Sequence, residues 1–370
     1  MKIAIVKLSA LGDIVHAMVV LQFIKKHYPE SEIDWIVEKK FRGVLENNPH
    51  INQIHQVSLK SVNKSKSLFL IWKELRKIRT LSKYDLVIDM QGLLKSALIA
   101  QKIPSDITLG FDKDSLRESL ASSFYSQTYK INYAENAIER NLNLVSHALQ
   151  FSFDKEDIHS KEVFLYPTQQ YTFDHISSTK KNILVNLENI EKLLNIKIPL
   201  LKYDISLINE NYFIEAKKIL PNNNYIGFSL TQGNVYRKKQ WPINKFINVA
   251  KKIVEMNKVP VFLIKKNDTA LIAKIKNEVK EAIFPEENTK YSDPAFVTAL
   301  ATRLNLTISI DNGVMHMIGL ADSPMIVMFG PTDSEKFAPK YSNVKILDTK
   351  KIYNTKDISK ISEKDVLELL

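Results

Sequence analysis

Short apolar runs that stop at a loop and give way to helical periodicity constrain this chain most, because strand, loop and helix repeat along it in that order. Lys2-Ile3-Ala4-Ile5-Val6 is the first such run, β-leaning and short enough to be a parallel strand buried on both faces. Ile14, Ala17, Met18, Leu21 and Ile24 then recur at helical spacing, which predicts a helix to about His27, ahead of Pro29. Between them lies Lys7-Leu8-Ser9-Ala10-Leu11-Gly12-Asp13-Ile14-Val15-His16. Gly12 permits a tight turn or the close approach of a ligand. Asp13 falls at or just before the helix N-terminus, and two uses of its carboxylate are open. It is either an N-cap or a group facing the crevice where open α/β sheets bind ligands. A dinucleotide site is disfavoured, since G-x-G-x-x-G is missing and an acid here would repel a pyrophosphate. An acid facing a substrate suits general-base chemistry.

The chain's 370 residues are enough for two domains of ordinary size. Cysteine is absent, which removes disulfides, thiolate metal sites and cysteine nucleophiles. The first residues read as a core strand rather than a signal peptide, and no apolar run reaches the roughly 18 residues that span a bilayer. The expectation is a cytoplasmic protein, soluble or peripheral to a membrane. With 52 basic and 41 acidic residues the formal charge is +11, which favours an anionic partner: nucleic acid, anionic lipid or a phosphorylated substrate.

The first half continues the alternation. Glu32 to Val37 is a second strand, a helix follows near Phe41 to Glu46, and a short strand spans about Ile51 to Val57. Lys60, Lys64 and Lys66 precede an amphipathic helix through Leu70, Ile71, Leu75 and Ile78, whose other face carries Lys73, Arg76, Lys77, Arg79 and Lys83. Such a helix either lies on an anionic membrane or covers a sheet. Tyr84 to Asp89 is another buried strand, ending in Met90-Gln91-Gly92-Leu93-Leu94-Lys95-Ser96-Ala97, so an acid and a glycine again meet at a strand's carboxyl end. Leu109 to Phe111 is a short strand, and Arg117 and Glu118 open an amphipathic segment to Tyr125. Arg117 either holds a phosphate or carboxylate with its planar fork or pairs with a nearby acid. From 151 to 220 the pattern weakens and reads as the passage between domains.

The second half restarts it. Tyr225 to Leu230 is a strand that runs into Thr231-Gln232-Gly233-Asn234 and then Lys239-Gln240-Trp241-Pro242, with a helix over Ile243 to Met256. Val259 to Ile264 is the next strand, and Leu306 to Ile310 delivers Asp311-Asn312-Gly313-Val314-Met315-His316 into another helix. Gly313 exposes that helix's first N–H groups, a place for a diphosphate, and His316 lies one turn on. Met325 to Phe329 closes the sheet and opens the loop Gly330-Pro331-Thr332-Asp333; Asp357 to Leu370 is a final helix or two. The first half thus supplies acids, and the second glycine, hydroxyls, lysine and histidine. That division suits an acceptor activated in the first half and a nucleotide donor held in the second.

These residues resemble the inverting, GT-B-type ADP-heptose heptosyltransferases of lipopolysaccharide assembly. The resemblance rests on K-x-S-x-x-G-D at Lys7 to Asp13, D-x-Q-G-L-x-K-S-A at Asp89 to Ala97 and K-x-W-P at Lys239 to Pro242. It extends to D-x-G-x-x-H at Asp311 to His316 and F-G-P-T-D at Phe329 to Asp333, and covers about residues 1 to 150 and 220 to 345. The wording of Asp89 to Ala97 and of Leu116 to Tyr125 is most similar to heptosyltransferase I, which adds the first heptose to the 3-deoxy-manno-octulosonic acid (Kdo) of lipid A. The second enzyme, or a transferase of another activated sugar, is the alternative within the class; a dehydrogenase-type or non-catalytic nucleotide-binding protein is the alternative outside it.

The resemblance implies an α/β GT-B fold: two Rossmann-like doubly wound domains facing each other across a cleft. The acceptor domain is expected over 1–180, the nucleotide-sugar domain over 181–350, and a C-terminal helix over 351–370 that packs back on the first. Asp13 is implied as catalytic base and Lys239 as the cation that neutralises the leaving diphosphate. Ser9, Thr231, Gln232, Lys239, Asp311, Asn312, Gly313 and His316 are the implied donor contacts. The acidic residue that relatives place near the ribose has Asp268 as its nearest candidate. Lys60, Lys64, Lys66, Gln91, Lys95 and Arg117 are candidates for capturing Kdo-lipid A at the inner face of the cytoplasmic membrane. No metal constellation is apparent, so no cofactor is expected and Mg²⁺ is not called for. Nor is a nucleic acid partner or a second copy of the chain.

Overall fold

A computed structural model describes residues 1–46, 48–58, 68–153, 208–230, 239–339 and 343–370, with backbone alone over 68–73. The first half forms β1 (Lys2–Val6), α1 (Leu11–Met18), α2 (Val20–His27), β2 (Glu32–Glu38), β3 (Gln53–Val57), α3 (Leu68–Arg79), β4 (Tyr84–Asp89), α4 (Leu94–Lys102), β5 (Ser105–Phe111), β6 (Gln127–Tyr129) and α5 (Ala137–Leu149). The second forms α6 (Glu210–Ile219), β7 (Tyr225–Ser229), α7 (Ile243–Glu255), β8 (Val259–Phe262), α8 (Thr269–Glu278), α9 (Pro294–Ala301) and β9 (Leu306–Ile310). It continues through α10 (Gly313–Gly319), β10 (Met325–Phe329), α11 (Ser334–Phe337), β11 (Val344–Asp348), α12 (Thr349–Tyr353) and α13 (Glu363–Leu367).

The strands make two wholly parallel sheets, in the orders β3-β2-β1-β4-β5-β6 and β11-β10-β9-β7-β8. Helices on both faces explain the unbroken apolar runs of the sequence. Ile3 and Ile5 of β1 enter one core while Ala4 and Val6 enter the core on the other face. In the second sheet Ile326 and Met328 of β10 face one layer, and Met325, Val327 and Phe329 the other. Each sheet reverses its strand order once, between β1 and β4 and between β7 and β9, and ligands of doubly wound folds bind outside the strand carboxyl ends at that point. Register sets those ends level: Val6 pairs with Asp89 and Ser229 with Ser309.

The α3 helix answers one sequence alternative. Ile78 is buried and packs in the layer over the first sheet with Leu75, while Arg76, Lys77 and Arg79 point outward, so the helix covers the sheet. Among the described residues no helix is long and apolar enough to cross a membrane.

Two expectations change. The tail packs on the second domain, not the first: Ile358, Ile361 and Val366 share a core with Trp241 and Phe246. Trp241 Nε1 donates to Ile361 O at 2.9 Å, and Lys245 Nζ donates to the carbonyls of Ser359 and Ile361. The apolar side of the tail matches the face of α7, and these donors fix it there. Nor does β10 close its sheet, because β11 pairs outside it, an edge strand whose exposed Lys345 and Ile346 hid its pattern. The expected boundary at 180/181 lies outside the described residues.

Candidate active site

The β1 turn is tied down from below. Lys7 is buried, and its ammonium donates to Met90 O at 2.7 Å, joining the ends of β1 and β4. Burial pulls its pKa down, against the opposing pull of Asp13 and Asp89. Gln91 Oε1 accepts the N–H groups of Leu8 at 3.1 Å and Ser9 at 3.0 Å, so a residue expected to meet the acceptor has its carbonyl oxygen committed to shaping the loop that leads to Asp13. Asp13 stands in the first turn of α1, beyond the N-cap position, which Ala10 holds. Its Oδ2 accepts the Ala10 N–H at 3.1 Å, which helps to satisfy the helix end. The carboxylate is only half-buried, and among the described residues no cation lies within ion-pair distance of it. It therefore serves the helix terminus while staying partly open to solvent.

The β4 turn treats its acid differently. Asp89 is fully buried. Its Oδ1 accepts from the N–H groups of Gln91 at 2.8 Å and Gly92 at 3.2 Å, and its Oδ2 from the Tyr125 hydroxyl at 2.8 Å. Burial pushes its pKa up, opposed by those hydrogen bonds. Gly92 has φ +65°, and a Cβ there would also overlap Leu116, so the turn requires glycine.

In the second domain Lys239 pairs with Asp311, and both side chains are largely buried. Asn312 caps α10: its Oδ1 accepts the Met315 N–H at 2.9 Å, and its Nδ2 donates to Ser229 Oγ at 3.0 Å, tying the β9 end to the β7 end. Gly313 and His316 follow on the same short helix.

The two turns meet. A Cβ on Gly12 would overlap the His316 ring, and one on Gly313 would come within 3.0 Å of Leu11 Cβ, so each loop offers bare backbone to a side chain of the other. His16, on α1, meets His316 edge to face, with ring centroids 4.5 Å apart and planes at 82°. Both rings are buried. Burial pulls the pKa of His316 down to about 4, helped by Lys239; His16 is lowered as well, by burial and then by His316. A second bridge lies nearby, where Lys336 of α11 donates to Tyr133 O and its ammonium sits 4.0 Å from the Tyr133 ring centroid. Asn136 Nδ2 adds a bond to Glu335 O at 3.1 Å.

Of the other expected residues, Lys95 and Arg117 are exposed on the β4 side, and Arg117 stands 3.7 Å from Glu118. Ser9 lies on the loop between β1 and α1, where its N–H donates to Gln91. Asp268 is exposed at the start of α8. Lys60, Lys64, Lys66, Thr231 and Gln232 lie outside the described residues. His16, Tyr125 and Lys336 were not singled out from sequence, and Lys7 only as the first residue of K-x-S-x-x-G-D. Lys7 and His16 flank the Gly12-Asp13 turn, and a buried cation and an imidazole beside it were the available signals.

Comparison with known proteins gives this site a context. The profile of glycosyltransferase family 9 (heptosyltransferase) matches residues 71–367. Lipopolysaccharide heptosyltransferase 1 of Campylobacter coli is 35% identical over 383 aligned positions, covering 100% of this chain and 98% of the relative. The chain belongs to glycosyltransferase family 9, the heptosyltransferases. Solved structures agree on the fold. The Escherichia coli heptosyltransferase WaaC with ADP-2-deoxy-2-fluoro heptose aligns with a TM-score of 0.71 at 19% identity, covering 100% of this chain and 98% of that one. A family 9 glycosyltransferase from Veillonella parvula aligns with a TM-score of 0.73 at 20% identity, covering 100% and 95%. The heptosyltransferase is therefore a GT-B enzyme, with one doubly wound domain on each side of the cleft.

Proposed function

We propose that this heptosyltransferase moves L-glycero-D-manno-heptose from ADP-heptose to the Kdo of Kdo-lipid A, with inversion and with Asp13 as general base. The observation that carries the reading is the meeting of the two turns. The loop bearing Asp13 packs directly on the loop bearing Asp311 to His316, so an acceptor hydroxyl and a nucleotide sugar share one cleft. Full-length similarity to a relative named for the first heptose transfer supports the choice of acceptor.

Asp13 takes the proton of the acceptor hydroxyl as its oxygen attacks the anomeric carbon from the face opposite the diphosphate. The bond to the diphosphate breaks and ADP leaves with the developing charge, which Lys239 offsets from its position beside Asp311. A lysine in that role takes the place of a divalent cation, so turnover is expected to survive a chelator. Asn312 and Gly313 hold the donor loop, and Thr231 and Gln232 are the further donor contacts of this reading. Lys95 and Arg117, with Lys60, Lys64 and Lys66, capture the phosphates and carboxylate of the acceptor at the inner face of the cytoplasmic membrane.

The test is ADP release from ADP-heptose with Kdo-lipid A or heptosylated Kdo-lipid A as acceptor, with the product's anomeric configuration read by NMR. Release with Kdo-lipid A alone and an inverted linkage is the expected result. Release only with the heptosylated acceptor makes this the second transferase, and release with neither overturns the substrate assignment.

A further inference from the structure

The junction contains a group that the transfer chemistry above does not use. His16 lies one turn beyond Asp13 on α1, at the i,i+3 spacing that puts two side chains on one helix face. It is 6% exposed, and its Nδ1 has no hydrogen-bond partner among the described residues. A buried polar atom left without a partner calls for an explanation. The ring's neighbour is the donor-loop histidine of the other domain, which rests in a notch formed by the bare backbone of Gly12 and the edge of His16. Gly12 and His16 flank Asp13 in sequence, so whatever fixes His316 in that notch also fixes the donor loop relative to the base.

We propose that His16 is a positioning residue: with Gly12 it forms the seat that docks His316, and through it the donor loop, against the helix that carries Asp13. This rests on the transferase reading of Asp13 and of the donor loop. The groups facing the rings are Asp13 of α1, Lys7 of the base loop, Lys239, Asp311 at the end of β9, and the two histidines themselves. Two cations already oppose a further positive charge there. In the docked state burial depresses both imidazoles, whereas in an opened cleft they titrate near the ordinary 6.5. Opening therefore takes up protons. Docking is fully favourable above pH about 6.5 and weakens as pH falls from there toward the docked-state values.

His16→Phe keeps a ring in the seat but cannot titrate; His16→Ala removes the seat. In steady-state assays of the full chain, His16→Ala is expected to lower kcat/KM for ADP-heptose at least tenfold. His16→Phe should restore most of that loss and move the acid limb of the pH profile down by half a unit or more. Thermal unfolding midpoints close to wild type for His16→Phe separate docking from folding. A substrate-free readout stands beside the assay: small-angle scattering is expected to show the wild type expanding between pH 7.5 and 5, and His16→Phe expanding less. If ADP-heptose is not a substrate, the scattering arm still decides. An acid limb and an expansion in His16→Phe equal to wild type, or a His16→Ala enzyme within twofold of wild type, overturns the proposal.

Discussion

Asp89 ends β4 and Asp13 lies in the first turn of the helix that follows the neighbouring β1, each with a glycine within three residues, and their surroundings give them opposite work. Asp89 is sealed under Tyr125 and two backbone N–H groups, so its charge is consumed in holding the β4 turn in shape. Asp13 gives one oxygen to Ala10 N–H and otherwise stays only half-buried. Asp311 makes a third case, an acid of the same kind of turn that is matched to a lysine from a different loop. The lesson is that a carboxylate at a strand end becomes a base candidate through what it is left without. Burial and donors convert the same residue into a strut.

Substitutions test that contrast. Asp13→Ala is expected to have the largest effect, a fall in kcat of about 10²–10⁴-fold, the range for a lost general base. Donor KM and unfolding midpoint should stay near wild type, and turnover above a tenth of wild type would dissolve the distinction between the two turns. Lys239→Met comes next, because removing one partner of a buried pair costs about 3–5 kcal/mol. Urea unfolding should shift to lower denaturant and recover in part in Lys239→Met/Asp311→Asn, whereas turnover should not recover. Equal stability of the single and double variants would mean that the pair does not brace the donor loop.

Asp89→Asn is expected to cost about 1–3 kcal/mol of stability, the range for an imperfectly satisfied buried group, with kcat reduced less than tenfold. A folded Asp89→Asn protein as inactive as Asp13→Ala would make Asp89 chemical and break the comparison. The smallest effect belongs to Tyr84→Phe, far from both turns, where Tyr84 and His55 bond the buried Asp34 at 2.6 and 3.1 Å. Burial opposes the Asp34 charge, but these hydrogen bonds outweigh it and hold the pKa below the ordinary carboxylate value. Its contribution is therefore present above the unfolded value near 4 and lost as pH falls through the lower folded value. Tyr84→Phe should be destabilised by about 1–2 kcal/mol at pH 7, and the gap to wild type should narrow as pH falls below the ordinary carboxylate value near 4 in parallel denaturation curves.

Much of the fold was legible because its strands are pure apolar runs: Tyr84 to Asp89, Leu306 to Ile310 and Met325 to Phe329 were read to the residue. The misses are elements whose signal is shared with solvent. Gln127 to Tyr129 is a three-residue edge strand, and Val344 to Asp348 is half-exposed. At the site, Asp13, Lys239 and Asp311 were named from their loops, but pairing between Lys239 and Asp311 spans 72 positions and leaves no local trace. The role of Gln91 was equally hidden, since its partners, Leu8 and Ser9, lie 83 and 82 residues away and are backbone groups, which carry no sequence signature. The role of His16 was hidden in part: its imidazole stands beside the Gly12-Asp13 turn in sequence, but its partner is on the other domain.

The anchoring of the tail on α7 has a consequence for how the protein is made. All six strands of the first sheet and helices α1 to α5 have been synthesised once the ribosome has passed α5, while Ile208, Ala295, Met317 and Leu320 have still to join that core. The second core is incomplete until Ile358, Ile361 and Val366 have been synthesised and can close over Trp241. At synthesis rates of about 5–20 residues per second, roughly 10–40 s separate the last helix of the first half from the residues that close the second core. Gly313 and His316, which meet the Asp13 turn, are synthesised within that interval, and the second core can close only after them.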